Sequence, residues 1–213
     1  MTESSPDMVP VSHHPGRKER TGRPVDDELT ARILEVGTEL LNRNGFAAFN
    51  VEEVARQAGC GKAAIYRRYP RKAALAAAII ESHAVIGELP NSGSLREDLL
   101  AHALQNQSNQ EGFDFSSGHG MQAIFEPEVY PLVRDSLIRR RRERGRALIA
   151  RGIERGELGA NVEPDIILDT LAGLTMYRQM VKGTQIDPRH YLDVIDALLA
   201  QPPRSIAGDE GEH

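Results

Sequence analysis

The apolar and polar positions of this chain fall into helical periods that glycine and proline interrupt. Between Asp26 and Arg43, residues Leu29, Ile33, Val36, Leu40 and Leu41 make one apolar stripe at helical spacing. The acidic run Asp26, Asp27, Glu28 sits where the dipole of such a helix is positive. Asn44 and Gly45 end the helix, and Phe46 and Phe49 are placed to plug a small core. In the next helix Val51, Val54, Ala55 and Ala58 repeat, and Asn50 with Glu53 has the form of a capping box. Gly59 stops it. Gly61 opens a third helix of about eight residues, which Pro70 ends by disfavouring helical geometry at Tyr69. Two short helices joined by a tight turn behind a longer one predict a helix-turn-helix.

At about 100° per residue, Ile65 and Tyr69 share one face of the third helix. Ala63, Ala64 and Arg67 share the opposite face, with Tyr66 and Arg68 on the flanks. The first face suits packing inward. The second is small, with one long cation, and suits close approach to a major groove. Lys62, Arg67, Arg68, Arg71 and Lys72 supply charge for phosphates with no acidic residue among them. A solvated basic face on an ordinary helical hairpin has the same local pattern.

Beyond the head the periods predict helices over 72–86, from Ser94 to Gln107 with Ser94 and Glu97 as a second capping box, over 119–125, over 129–155, from Pro164 to Lys182, and from Asp187 to before Pro202. Residues 108–118 read as a loop. The predicted fold is all-α, with about nine helices: a three-helix DNA-binding domain over 26–75 and a helical body over 76–203. Residues 1–25 predict a disordered arm whose Arg17, Lys18, Arg20 and Arg23 suit a minor groove or merely keep the tail soluble, and residues 204–213 a disordered tail. The helix over 72–86 belongs to both domains and reads as a lever. The last two large helices are apolar over a wide arc, which predicts a two-fold interface.

Composition narrows the class. Net charge is −5, yet residues 17–72 hold 12 Lys or Arg against 8 Asp or Glu, leaving 14 against 23 elsewhere. A basic head on an acidic body orients a protein on DNA. The run from Arg139 to Arg146 reads as a solvated face paired with Asp135, Glu143 and other acidic neighbours, rather than a second nucleic-acid patch. A single Cys, Cys60, excludes an internal disulfide and predicts a cytoplasmic setting; in the turn it reads as a small buried group, with a redox switch as the sharper alternative. No membrane span, secretion signal, metal-ligand spacing, phosphate loop or catalytic constellation is visible, so no cofactor and no enzyme are predicted.

Ala55, Ala58-Gly59, Ile65-Tyr66, Tyr69, Lys72 and Leu75 stand at the spacing of the DNA-binding domain of TetR-family transcriptional regulators, which residues from about 27 to 80 resemble. Ala150 to Gly173 is similar to one type of C-terminal domain in that family. The resemblance implies that Tyr66 and Lys72 grip phosphates and that Lys62, Ala63, Ala64 and Arg67 face base edges. Asn50, Arg68 and Arg23 complete the expected DNA set. Two departures stand out: Cys60 where the family usually has Val, and Arg71 where it usually has a helix-capping residue. The resemblance also implies a homodimer through the last two large helices, a double-stranded operator and a small-molecule pocket in the body. Gln105, Met121, Gln122, Phe125, Met176 and Tyr177 are the residues expected to line that pocket, each large and pliable or carrying a polar handle. The expected function is a repressor released from a near-palindromic operator by a ligand. The alternative is a ligand-independent DNA-binding dimer whose body serves protein interaction.

Overall fold

The computed structural model describes residues 23–84, 86–109 and 121–206, apart from the side chains of residues 23–25 and 121. The basic arm before Arg23, His13, His14 and His119, most of the 108–118 loop and the tail beyond Ile206 lie outside the described residues. Those described are helical throughout: α1 Arg23–Ala48, α2 Val51–Gln57, α3 Lys62–Arg68, α4 Lys72–Ser82, α5 Leu95–Ser108, a 3-10 turn Met121–Phe125, α6 Tyr130–Val133, α7 Arg139–Glu154, α8 Pro164–Met176 and α9 Pro188–Ala200. A π turn at Arg134–Ile138 joins α6 to α7, and a second at Tyr177–Val181 extends α8. The predicted 129–155 and Pro164–Lys182 helices are therefore present, each with a wider turn inside or at its end.

Local chemistry explains most boundaries. Asn50 caps α2, its side chain accepting from the Glu52 N–H at 2.8 Å. The predicted capping box is only half made, because Glu53 turns along the helix to Arg56 and Gln57 instead. Ser94 makes no side-chain cap to α5; the Glu157 carboxylate, just past the end of α7, accepts the Leu95 N–H at 2.7 Å. Pro164 and Pro188 open α8 and α9 where a missing N–H costs nothing, and Glu163 and Asp187 cap them. Gly59 sits at φ +67°, the left-handed turn that separates α2 from α3. The lever α4 ends at Ser82, short of the predicted Ile86, and the hydroxyl of Thr38 lies 2.9 Å from the His83 ring just beyond that end.

Two hydrophobic cores form. One joins Ile33, Leu41, Phe49, Val54 and Ile65 of the head to Leu75, Ile79 and Ile80 of α4 and on to Ala123, Val129 and Val133. The second packs α5, α7, α8 and α9 around Leu95, Leu99, Leu148, Ile149, Ile167, Tyr191 and Ile195. The head's core runs along α4 into the body, past the boundary drawn at residue 76. Gly37 makes the α1–α4 crossing close, since a methyl group there would lie 2.5 Å from Ile79 Cδ1. The C-terminal strap is also more ordered than predicted at its start. Arg204 bridges to Val162, and the Ser205 N–H donates to the Asn161 carbonyl at 2.9 Å.

Candidate nucleic-acid interface and interior cavity

Helix α3 stands on Ile65, which is fully buried, and on half-buried Tyr69. That anchorage turns Lys62, Ala63, Tyr66 and Arg67 to solvent; Ala64 is half-covered and Asn50 is exposed at the start of α2. Lys62 pairs with Glu52 at 2.9 Å, an exposed ion pair between the two helices of the motif. Arg71 is exposed at the N-cap of α4 and makes no side-chain cap bond. Cys60 is half-buried against the head core, the position of a small apolar group.

Two residues expected on the DNA face are turned elsewhere. Arg68 is folded back onto α1: its guanidinium pairs with Asp26 and donates to Thr30 Oγ1 at 3.2 Å and to the Ala64 carbonyl at 2.8 Å. Only 14% of its side chain is exposed. Lys72 donates to the Phe46 and Ala47 carbonyls, at 2.7 and 3.2 Å, and its ammonium lies 4.4 Å from the Phe46 ring centre. Both cations close α1 against the motif: Arg68 meets the acid Asp26 in its first turn, and Lys72 meets carbonyls at its C-terminal end, where helix carbonyls lack intrahelical partners. Arg23 begins α1, with its side chain outside the described residues.

The body contains a cavity of about 290 Å³ at the seam between the two cores. Ile80 of the lever and Ala84, just beyond its end, line it with Ile124, Leu137, Ile138 and Met180, together with His102, Ala103, Leu168 and Leu171. Of the six residues expected at a pocket, Phe125 and Met176 line this cavity. Gln105, Gln122 and Tyr177 do not: Gln105 packs beside Gly87, and Gln122 and Tyr177 face solvent. Met121 lies in the 3-10 turn, its side chain outside the described residues.

His102, Asn106, Asn109, Arg141 and Arg142 are the polar lining that sequence reasoning passed over. A signal was available, because Arg141 falls four residues after Leu137 and four before Gly145, along the buried side of its helix. Its neighbours in the arginine run behave differently. Arg142 and Arg146 pair with Asp165, Arg142 also with Asp169, and Arg144 donates to the Gly87 carbonyl at 2.5 Å. Asp135 pairs with Arg139 as expected, and the other acids come from α8 rather than from Glu143. Burial, reinforced by Arg141 and Arg144, pushes the His102 imidazole down to about 4, so it is neutral near pH 7. Burial beside Arg144 lowers Arg141 to about 10, which leaves it charged there.

A buried-core helix-turn-helix with an open, cationic third helix, coupled to a helical body through a shared α4, defines a DNA-binding transcriptional regulator. Residues 33–79 match the model of bacterial regulatory proteins of the tetR family, and residues 89–198 that of the tetracyclin repressor-like C-terminal domain. The chain belongs to the TetR family and is a transcription factor, not an enzyme. It is 27% identical over 183 residues to the uncharacterised HTH-type transcriptional regulator YdeS of Bacillus subtilis, covering 83% of this chain and 90% of that one. It is also 27% identical over 186 residues to the DNA-binding transcriptional repressor TetR of Mycobacteroides abscessus, covering 80% and 91%. Among solved structures it shares the fold of NalD, the secondary repressor of the MexAB-OprM multidrug efflux pump in Pseudomonas aeruginosa. There the TM-score is 0.62 and the identity 19%, with 86% of this chain and 100% of that one covered. No helix among the described residues is long and apolar enough to cross a membrane.

Proposed function

We propose that this chain is a cytoplasmic bacterial repressor that binds a near-palindromic operator as a homodimer and releases it when a small molecule enters the seam cavity. The observation that carries this reading is the lining of that cavity. Ile80 and Ala84 are wall residues of the cavity, and α4 is continuous with the head's core through Leu75 and Ile79. A ligand that fits better with α4 tilted lowers operator affinity by its differential binding to the two arrangements. On the DNA side, Lys62, Ala63, Ala64, Tyr66 and Arg67 meet the major groove and Asn50 approaches a phosphate, with Arg23 reaching the adjacent minor groove. Arg68 and Lys72 hold α3 and α4 on α1 and act as positioning residues.

The dimer is proposed through α8 and α9. Ile166, Gly173, Tyr177 and Val181 follow one another at helical spacing on the outside, and Ile166, Tyr177 and Val181 are 49%, 50% and 64% exposed. Such an apolar stripe is stabilised by a second copy of itself. Selection of bound duplexes from a random DNA library tests the whole reading. A two-fold-symmetric motif is expected; salt-sensitive binding without enrichment overturns it. Sedimentation showing only monomer at micromolar concentration removes the dimer. That outcome, together with enrichment of a single half-site, would favour a different assembly.

A further inference from the structure

We infer that the seam cavity takes a compact apolar monocarboxylate, with its carboxylate on Arg141. This rests on the reading of the cavity as the effector site and names the class of effector. The cavity walls are mostly aliphatic and aromatic, with Ile124, Phe125, Leu171 and Met176 among them. Arg141 breaks that pattern. Its Nη2 is buried and has no hydrogen-bond partner among the described residues, whereas Arg139, Arg142 and Arg146 of the same run each hold an aspartate. An arginine kept in an apolar wall without a counter-ion is costly unless a bound group supplies one.

The chemistry around Arg141 narrows the choice. A guanidinium presents a planar fork that matches a carboxylate with two parallel bonds. His102, neutral near pH 7, and Asn106 line the same cavity and offer hydrogen bonds without charge. Arg142, the other cation in the lining, is already committed to Asp165 and Asp169. Among the described residues of the lining one positive charge is uncommitted, and it balances one negative charge. A dianion such as a phosphate monoester leaves a second charge buried and unpaired. Size sets the remainder of the ligand: at the roughly 30 Å³ that a water occupies in the liquid, about 290 Å³ holds on the order of ten heavy atoms. That matches the size of a medium-chain acid or an aryl-alkanoic acid.

The test is calorimetric titration of the full chain with octanoate, 1-octanol and octylammonium, three probes of one length that differ in head group. Octanoate is expected to bind at least about tenfold more tightly than octanol, and octylammonium most weakly. Arg141→Gln is expected to erase the preference for octanoate while leaving octanol binding in place, and Arg141→Lys to keep part of it. Ala172→Phe, which fills the cavity from its α8 wall, is expected to abolish binding of all three. Octanol or octylammonium binding as tightly as octanoate to the natural chain overturns the inference while leaving the effector cavity intact. This comparison holds even if an Arg141 variant does not fold. Octanoate preference that persists in Arg141→Gln, or octanoate binding that survives Ala172→Phe, also overturns it. Binding of none of the probes removes the effector cavity and this inference together.

Discussion

Lys72 offers the sharpest contrast between a DNA contact and a structural tie. Its ammonium donates to two carbonyls at the end of α1, at 2.7 and 3.2 Å, and stands 4.4 Å from the Phe46 ring centre. Lys72→Met keeps the aliphatic stem and removes only the charge. Charge-assisted hydrogen bonds contribute about 1.5–3 kcal/mol when covered, and the half-exposure of this side chain cuts that to about 1–2. The ring contact adds roughly 0.5–1 kcal/mol. A loss of about 2 kcal/mol lowers the melting temperature of a chain this size by about 4–8 °C. Thermal unfolding by circular dichroism measures that shift. Fluorescence anisotropy on a generic duplex across a salt series measures the phosphate contacts in parallel. If Lys72 is a tie, the melting temperature falls and the salt slope hardly moves. A phosphate contact predicts the reverse: an unchanged melting temperature and a slope smaller by about one for each protomer. That second pattern would refute the assignment of Lys72 as a positioning residue.

Three further outcomes follow from the same geometry. Arg67→Ala, on the open face of α3, is expected to relax sequence preference in duplex selection by about 1–3 kcal/mol at the affected position; an unchanged motif shows that Arg67 does not read a base. A double-mutant cycle of Arg68→Met with Asp26→Asn should give a coupling of about 0.5–1 kcal/mol in unfolding free energy, modest because Asp26 is 63% exposed, and strictly additive losses would show that the pair does not hold the head together. His102 is held neutral by burial, its pKa pushed down to about 4. The unfolded chain takes up a proton as pH falls through about 6.5 while the folded chain does not, so stability is lost on going down between those two values. Between pH 7 and pH 5 the natural chain should lose about 2 kcal/mol more than His102→Gln in denaturant unfolding, and parallel curves would mean that His102 is hydrated.

The helices themselves were legible because their causes are local. Periodic Val51, Val54 and Ala55, the left-handed turn at Gly59 and the prolines that open α8 and α9 each act within a few residues, so the sequence determines an all-helical chain with a helix-turn-helix at its head. The outward face of α3 follows from the same arithmetic, since burying Ile65 leaves Ala63 and Arg67 no other direction. What a long side chain does with its charge is not local. Arg68 and Lys72 read as phosphate ligands in the sequence, and only the tertiary structure brings Asp26 and the Phe46 carbonyl of α1 to them from dozens of residues earlier. The same holds for capping α5, where Glu157, distant in sequence, supplies what Ser94 was expected to give. The cavity is the extreme case. It exists only where two cores fail to close on each other, so no stretch of sequence carries it. Arg141, whose Nη2 is buried there, differs from its paired neighbours in which side of the helix the tertiary packing covers.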